Sequence, residues 1–302
     1  MKLSLLMRKW VYSSLIPPWG RFQVELNQAR IRRLLATGHC PLLVPTPPPG
    51  RGGRLEGYYH FLFDLVLPLT RLFDNFSQDQ HIALRPFGVF TNRIVELFGD
   101  RVQILPEEDV SHPRQSLPLV GMNPVGVWLT HRNLQDFRQE ILGRTEVVGE
   151  PPPSLVVLIE RSLPETAIQQ QFRDANRGGS RRSIANHHEL RDRLAVTWNR
   201  SCEFRNVRLE SLSFRDQVET FARAAVVIGQ HGAGLANIAW MSPGGVVIEL
   251  TNRPNRFTYQ LLARRCGHSC HCFKVVGDHA TVHADRLLAW MRDQTPLQRF
   301  LN

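Results

Sequence analysis

The pattern of apolar and polar positions divides the chain into alternating strands and helices. In the second half, continuous apolar runs predict buried strands at Leu155 to Ile159, Val226 to Ile228 and Val246 to Ile248. Between them, apolar residues four positions apart, such as Leu190 and Leu194, predict helices. Strands that alternate with helices at this spacing are typical of parallel sheets built from βαβ units.

Several helices of this half have boundary signals in the sequence. Ser213 is followed three residues later by Asp216, which is a capping-box-like start for a helix. A short helix is predicted from Leu235, and a helix that ends at Gly267 precedes another strand. A last helix is predicted at about Ala284 to Arg292.

The first half alternates in the same way. Strands are predicted at Pro41 to Val44 and at Arg101 to Leu105. Helices are predicted at Thr91 to Phe98 and at roughly Arg132 to Leu142. The first half is therefore also expected to be an α/β domain.

An apolar run from Gly57 to Pro68 is long enough to favour a helix. Helical spacing places His60 and Asp64, which are four residues apart, on one face of it. One of these side chains can take a proton while the other orients it, so the pair is the candidate catalytic base. The alternative is a core histidine with a buried acidic partner.

A proline-rich connector separates the two halves. Pro151-Pro152-Pro153 stands directly before the strand that begins at Leu155 and forms a stiff linker. We predict an N-terminal domain at 1–150, a C-terminal domain at 151–282 and a C-terminal helical segment at 283–302. Two such halves suggest twin Rossmann-like domains that face each other across a cleft.

Composition and charge narrow the classes of function. The chain has 302 residues, 42% of them hydrophobic, which suits two globular domains. The formal net charge is +10, and only three of the 37 basic residues are lysines. Guanidinium groups bind phosphates and carboxylates through paired hydrogen bonds. The basic charge also keeps a nucleic-acid-binding protein among the alternatives.

The cysteines and the N-terminal segment argue against a secreted, a zinc-binding and a membrane-spanning protein. Five cysteines without a regular framework suit a reducing compartment better than a secreted protein. The run Cys266-Gly267-His268-Ser269-Cys270-His271-Cys272 supplies only one zinc knuckle, so free buried cysteines are expected and no metal site is predicted. No apolar run reaches 18 residues, so neither a signal peptide nor a membrane span is predicted.

The most informative stretch is the glycine-rich turn after the strand at Val226 to Ile228. The small residues Gly232, Ala233 and Gly234 let a ligand approach the backbone, and the first amides of the following helix can bind an anion. In a doubly wound sheet such a turn lies at the carboxyl edge, where ligands bind. A diphosphate suits this site, and a tight turn with close helix packing is the alternative. The spacing matches neither the dinucleotide fingerprint nor a Walker A motif, which argues against an NAD enzyme or an ATPase.

The residues around this turn resemble glycosyltransferase family 61. Four segments match the family's motifs in order and together span 58–250. They are Tyr58-Tyr59-His60-Phe61 with Asp64 and Leu67-Pro68; Arg182-Ser183-Ile184-Ala185-Asn186, with Arg161 after the preceding strand; Leu212 to Val218; and the block from Ile228 to Asn237 with Pro243 to Leu250. The last block is similar to the hallmark of the family.

The resemblance implies an inverting transferase of GT-B architecture. The C-terminal domain would hold a UDP-sugar of the GlcNAc or xylose class, and the N-terminal domain would admit a hydroxyl of a glycan or lipid-linked glycan. The C-terminal helix would pack back across the cleft. Since luminal members carry a signal or anchor, a bacterial-type, cytoplasmic protein of polysaccharide biosynthesis is expected. A lipid-linked acceptor would draw a basic protein to the inner membrane face.

The chemistry of transfer assigns roles to residues that match the motifs. The leaving diphosphate must be stabilised, and the amides of Gly232, Ala233 and Gly234 with the side chains of Arg161 and Arg182 are the candidates. An arginine pair can replace a divalent ion, and the sequence has no Asp-x-Asp triplet. We therefore predict a metal-independent enzyme with no cofactor besides its donor.

Four further residues are candidate donor contacts, each with a structural alternative. Asn186 is alternatively a helix N-cap, and Asn237 alternatively bonds its local backbone. Glu249 alternatively pairs at the sheet edge. His231 is alternatively a structural histidine, and it is also a second candidate for the base.

Three other functions stay open at the level of the sequence. The arginine-rich chain can be a nucleic-acid-binding protein, although Arg51-Gly52-Gly53-Arg54 is a single RGG-like element without repeated aromatic residues. A catalytically silent homologue would bind the nucleotide sugar without transfer. An epimerase of the same twin-domain architecture would need the donor alone, so dependence on an acceptor distinguishes it.

Overall fold

The computed structural model describes twelve stretches of the chain. They are residues 29–37, 42–46, 57–74, 81–84, 90–104, 116–120, 129–147, 154–161, 182–198, 202–254, 257–294 and 297. For 42–46, 116–120 and Asp64 the description covers the backbone alone.

The chain divides into two compact units, Met1–Asn133 and Leu134–Asn302. Each unit contains a parallel sheet of its own, of four strands in the first and five in the second. This confirms the mixed α/β class that the alternating pattern predicts. The predicted domain boundary at residue 150 stays a prediction.

The first unit pairs strands that are distant in the chain. Its sheet has the order β3-β2-β1-β4, and all its pairs are parallel. The elements are the helix α1 at 29–36, β1 (Leu42–Thr46), the helical segment α2, β2 (Ile82–Leu84), α3 (Thr91–Phe98), β3 (Val102–Ile104) and β4 (Ser116–Val120). The predicted helix at Thr91–Phe98 is confirmed, whereas the apolar pattern missed β2 and β4.

The segment α2 combines two kinds of helix. Tyr58–His60 and Leu67–Phe73 are α-helical, and Phe61–Val66 between them is a π-helical turn. Its apolar residues are buried almost all round, as expected for a helix inside a core. Phe61 stacks on Phe90 with ring centroids 4.7 Å apart. The predicted helix is therefore confirmed, with a wider middle turn than the regular helical spacing assumed.

The second unit contains most of the described elements. They are α4 (His131–Arg144, which begins at the unit boundary), β5 (Leu155–Glu160), β6 (Ser183–Ile184), α5 (His187–Trp198), β7 (Glu203–Arg208), α6 (Phe214–Ala222), β8 (Ala224–Gln230), β9 (Val246–Thr251), α7 (Thr258–Cys266), β10 (Ser269–Lys274), β11 (His279–Ala280) and α8 (Ala284–Arg292). Short 3₁₀ helices lie at Leu209–Ser211 and Ala233–Trp240. The predicted strands β5, β8 and β9 and the last helix are confirmed.

The order of the five strands locates the site. The sheet runs β10-β9-β8-β5-β7, so the chain first moves outward from β5 to β7 and then returns to the other side of β5 with β8. All neighbouring pairs are parallel, so the carboxyl ends of the strands lie at one edge. In such sheets ligands bind at the carboxyl edge where the strand order reverses, which here lies between β5 and β8.

The middle of this sheet is apolar on both faces. Every residue of β8 and β9 is buried, which explains why these strands are continuous apolar runs without alternation. Trp198 of α5, together with Leu190 and Leu194, packs into the core cluster of this sheet. A rigid sheet therefore carries the loops at its carboxyl edge.

The helix ends follow the predicted signals. The Ser213 hydroxyl accepts a hydrogen bond from the backbone N–H of Asp216 at 3.0 Å, as a capping residue should. Gly267 closes α7 in the left-handed conformation with φ +83°. The short helix predicted from Leu235 instead begins at Ala233 and is 3₁₀. Because a 3₁₀ helix closes each turn over three residues, the glycine-rich turn leads directly into the first helical turn.

Candidate functional site

The glycine-rich turn lies at the reversal of strand order. It joins the end of β8 to the 3₁₀ helix at Ala233–Trp240, and Gly232 precedes that helix. The Leu235 N–H donates to the Gly232 carbonyl at 3.0 Å and closes the first turn. Among the backbone hydrogen bonds of the turns and loops in the described part of the chain, none is donated by the amides of Gly232, Ala233 or Gly234. The turn therefore presents neighbouring N–H groups, as an anion site requires.

Two arginines converge on this turn from different elements. Arg161 follows the end of β5, and Arg182 precedes β6. Their Nη1 atoms donate to the same acceptor, the carbonyl oxygen of His231, at 3.1 Å and 2.7 Å respectively. Arg182 is 5% exposed. Two guanidinium groups thus lie against the backbone carbonyl that directly precedes these amides in the chain.

Close packing explains why the turn needs a glycine at 232. A Cβ atom on Gly232 would lie 2.2 Å from Nη1 of Arg161. At Gly234, a Cβ would lie 2.8 Å from a methyl carbon of Leu209. The first glycine therefore makes room for the guanidinium group and the second for helix packing. Tight packing, the alternative that the sequence left open, applies at Gly234. The close approach of a ligand to the backbone of this turn stays a prediction.

Replacing Gly232 by alanine is expected to displace Arg161 from its carbonyl. The nearest atoms belong to the flexible end of an arginine, so the guanidinium group can move and the loss of stability should be small. Affinity for a nucleoside diphosphate should fall at least about tenfold, since one charge-assisted hydrogen bond contributes roughly 1.5–3 kcal/mol. Calorimetric titration measures this. Gly143→Ala in α4, where a Cβ would meet nothing within 4 Å, is the control, and an unchanged affinity in Gly232→Ala would contradict the prediction.

A small parallel pair of strands positions Arg182. Strands β6 and β11 pair in register, and the Ser183 N–H donates to the Asp278 carbonyl at 3.0 Å. The Asp278 carboxylate lies 3.6 Å from Nε of Arg182. The Gln230 side-chain amide donates to the Ser183 carbonyl on β6 at 3.3 Å and to the Asp278 carbonyl just before β11 at 3.1 Å. Sequence reasoning missed Asp278, because strands of two residues leave no periodic signal. It gave Gln230 no role of its own, because its partners lie 47 and 48 residues away in the chain.

His231 and Glu249 form a buried pair beside the turn. Glu249 on β9 is 0% exposed, and its Oε1 is hydrogen-bonded to Nδ1 of His231. Tyr259 of α7 packs edge-on against the imidazole, with ring centroids 5.2 Å apart. Burial raises the pKa of Tyr259, and the nearby Glu249 carboxylate raises it further. Glu249 thus lies inside the protein, bonded to His231, as in the alternative that the sequence left open.

Asn237 lies underneath the turn. It is 0% exposed, and its Nδ2 donates to the Gly234 carbonyl at 3.2 Å and to the side-chain oxygen of Gln217 at 3.4 Å. Its Oδ1 accepts from Trp240 Nε1 at 3.0 Å. These contacts are those of the local role that the sequence left open. Asn237 therefore supports the turn from below.

The Asn186 side chain, at the start of α5, forms hydrogen bonds within the fold. Its Nδ2 donates to the Val282 carbonyl at 3.0 Å, and its Oδ1 accepts from the Val282 N–H at 2.9 Å. The same Nδ2 donates to Glu189 at 3.1 Å. The side chain thus joins α5 to the segment before α8, a contact that its N-cap position alone does not predict.

A second polar network occupies the carboxyl ends of β5 and β7. Glu160 accepts from Arg208 at 2.8 Å and from Asn206 at 2.6 Å. Although burial alone raises the pKa of the Glu160 carboxyl, these hydrogen bonds lower it below its usual value. His187 Nε2 is hydrogen-bonded to Asn206 Oδ1 at 2.8 Å. Glu160 therefore has partners of its own, separate from the glycine turn.

The candidate base residues belong to the first unit. His60 ends the first α-helical part of α2, and Asp64 lies within the π-helical turn. His60 is half-buried and packs edge-on against Tyr59, with centroids 5.7 Å apart. The side chain of Asp64 lies outside the described residues, so their pairing stays a prediction.

The cysteine cluster is placed on β10 and the end of α7. Cys266 is buried, which raises the pKa of its thiol to about 12. A hydrogen bond with Cys272 and burial together raise the pKa of Cys270. His271 lies between these two cysteines in the chain and packs against Trp290, as the predicted alternation of faces requires. Among the described residues, no group of three or more histidine, cysteine or acidic side chains is placed to hold a metal ion.

No helix in the described ranges is both long and apolar enough to cross a membrane.

Comparisons with known proteins identify related sequences. The sequence model described as Glycosyltransferase 61 matches residues 58–248. The EGF domain-specific O-linked N-acetylglucosamine transferase of Mus musculus is 25% identical over 231 residues, which cover 70% of this chain and 41% of the relative. The proteins of the same name from Canis lupus familiaris and Bos taurus are 24% and 23% identical over the same length. The chain therefore spans less than half of the length of these relatives.

Proposed function

The chain belongs to glycosyltransferase family 61, and from this premise we propose that it is a glycosyltransferase that moves a sugar from a UDP-sugar of the GlcNAc or xylose class to a hydroxyl of a glycan or lipid-linked glycan. Membership of the family implies a nucleotide-sugar donor and a glycan acceptor. The name of the similar mammalian proteins supports GlcNAc as the first sugar to test.

One observation carries the assignment of the donor site. Arg161 and Arg182 bind one carbonyl oxygen at the turn where the order of the strands reverses. The amides of Gly232, Ala233 and Gly234 adjoin that carbonyl in the chain. A diphosphate placed on these amides would lie against both guanidinium groups, which supply positive charge where the leaving group develops negative charge.

Metal independence is part of this proposal. Two guanidinium groups and a row of amides can stabilise a diphosphate without a divalent ion, because both supply fixed positive charge and hydrogen-bond donors. The proposal therefore requires that a chelator leaves donor binding and transfer intact.

The acceptor side of the proposal rests on the first unit. His60 and Asp64 remain the proposed base for the acceptor hydroxyl: they lie on one helical segment of the first unit, to which the proposed GT-B arrangement would assign the acceptor. The twin-domain arrangement, the cytoplasmic location and the contact with the inner membrane face stay predictions.

The test is thermal stabilisation across a panel of nucleotides and nucleotide sugars, in EDTA and again with Mn²⁺. A ligand that binds only the folded state raises the unfolding midpoint. The expected result is a selective shift with UDP and one UDP-sugar in EDTA, followed by transfer of that sugar to an acceptor glycan. A shift that needs Mn²⁺ would contradict metal independence alone.

The same panel separates the alternative functions. Stabilisation by a short nucleic-acid duplex or single strand and by no nucleotide would favour the arginine-rich nucleic-acid binder. Binding of a UDP-sugar without transfer or hydrolysis would indicate a silent homologue. A changed sugar without any acceptor would indicate an epimerase.

A further inference from the structure

A chain of hydrogen bonds holds the Glu249 carboxylate inside the second unit. Gln260 Nε2 of α7 donates to Cys272 Sγ at 2.8 Å, and the Cys272 thiol donates to Glu249 Oε2 at 3.4 Å. The other oxygen, Oε1, is bonded to Nδ1 of His231. Because Glu249 is fully buried, its negative charge requires a partner of opposite charge or strong donors. Among the groups bonded to it in the described part of the chain, the imidazole of His231 is the one that can carry a positive charge.

This arrangement determines which nitrogen of His231 is available for chemistry. With Nδ1–H donating to Glu249, Nε2 is the ring nitrogen left to face a substrate. Glu249 and the edge-on ring of Tyr259 hold the imidazole in one orientation. The side chain is mostly buried but keeps 10% of its surface exposed, which leaves part of it accessible to water.

The backbone of the same residue adjoins the proposed diphosphate site. The carbonyl of His231 binds both Arg161 and Arg182, and its next residue in the chain is Gly232. An anion on the amides of the turn is therefore a neighbour of this imidazole. In an inverting displacement the acceptor attacks from the face of the sugar opposite the leaving oxygen. A group beside the diphosphate can thus assist the leaving oxygen but is on the wrong side to deprotonate the acceptor.

We propose that His231 is the acid for the leaving diphosphate and that Glu249 is its positioning residue, in a reaction that rests on the transferase function proposed above. The bond between the anomeric carbon and the phosphate oxygen breaks, and its electron pair goes to that oxygen. The acceptor oxygen bonds to the anomeric carbon, and its proton goes to the base of the acceptor side. The Nε2 proton of the imidazolium passes to the departing phosphate oxygen, and the neutral imidazole later regains a proton from water.

The groups around the imidazole also define the expected pH behaviour. Glu249 of β9 and Tyr259 of α7 contact the ring, Arg161 and Arg182 lie at its carbonyl, and Cys272 of β10 acts through Glu249. Since the acid must carry a proton to the leaving oxygen, the pH dependence of kcat/KM should differ between the wild type and His231→Gln, because glutamine has no proton to transfer.

The test compares two reactions of the same enzyme. Hydrolysis of the UDP-sugar without acceptor needs help for the leaving group but no acceptor base, whereas transfer needs both. In His231→Gln we expect kcat for both reactions to fall by the same factor, about 10² to 10³, with little change in donor KM. His60→Gln should reduce transfer much more than hydrolysis. His283→Gln, an exposed histidine before α8, is the matched control.

A second pair of variants tests the positioning role. Glu249→Gln should lower kcat in both reactions and change the pH profile, while UDP still stabilises the folded protein. Cys272→Ser keeps a donor for Glu249 and should stay close to the wild type, whereas Cys272→Val should lower kcat with donor KM unchanged. If Glu249→Gln does not fold, the comparison of Cys272→Ser with Cys272→Val tests the positioning role by itself.

Three outcomes would overturn the inference, and they are distinguishable. Hydrolysis that survives in His231→Gln while transfer is lost would make His231 the acceptor base instead. Unchanged rates in both reactions would make it a structural histidine. A wild-type protein that binds no nucleotide sugar would overturn the transferase proposal itself, and the inference with it.

Discussion

Replacing Arg161 or Arg182 by alanine is expected to weaken the binding of UDP about 30-fold in each case. Each guanidinium group donates to the carbonyl at the turn and would contribute charge-assisted hydrogen bonds to a diphosphate. Such bonds contribute about 2 kcal/mol, which corresponds to this change in Kd. The measurement is calorimetric titration with UDP, in EDTA and at fixed ionic strength.

Three further variants make this experiment specific. Arg182→Lys keeps the charge but loses the planar pair of donors, so its affinity should lie between those of the wild type and Arg182→Ala. Arg193→Ala removes an exposed arginine that pairs with Asp285 at 2.9 Å, and it should leave binding unchanged. The double variant Arg161→Ala/Arg182→Ala should show no measurable binding. Equal small losses in all of these proteins would mean that net charge alone draws the nucleotide.

Replacing Trp240 by alanine is expected to lower the free energy of unfolding by about 3–5 kcal/mol, because truncation of a large buried ring leaves a cavity. Trp240 is 0% exposed and packs against Phe137 of α4 at 5.2 Å and Phe214 of α6 at 6.1 Å between ring centroids. Its loss would also leave Oδ1 of Asn237 without its indole donor. Urea unfolding followed by circular dichroism measures the change.

The control for this substitution is a tryptophan that is less buried. Trp290 of α8 is partly buried and packs against Phe273, with centroids 5.3 Å apart. Its replacement by alanine should lower stability by a smaller amount. A loss below 1 kcal/mol in Trp240→Ala, or an equal loss in both variants, would contradict the role of Trp240 as the support of the turn.

Arg138 of α4 bonds to the segment that follows the glycine-rich turn. Its Nε donates to the Trp240 carbonyl at 2.9 Å, and its Nη2 donates to the Ser242 hydroxyl at 3.1 Å. Helix α4 lies before the predicted boundary at residue 150. The segment after the glycine-rich turn therefore contacts a helix from the other side of the proline linker in the sequence.

The sequence by itself determined the elements that carry strong local signals. Continuous apolar runs predicted β5, β8 and β9, because strands buried on both faces cannot alternate with polar residues. The capping serine and the final glycine predicted the ends of α6 and α7, because such residues satisfy backbone groups locally. The glycine-rich turn and its two arginines also came from the sequence, as residues that suit an anion and match the motifs of the family.

Only the tertiary structure decided how these residues meet. Arg161 directly follows β5 and Arg182 directly precedes β6, and their convergence on His231 depends on the crossover that brings β8 beside β5. The pairing of His231 with Glu249 depends on the register of β8 and β9, in which Gly229 faces Glu249. The side chains of Asn186 and Asn237 form hydrogen bonds to partners within the fold, and the most distant of these partners is 96 residues away in the chain. Contacts between distant residues follow from strand order and packing, which leave no local pattern in a single sequence, so these parts of the site could not be predicted from it.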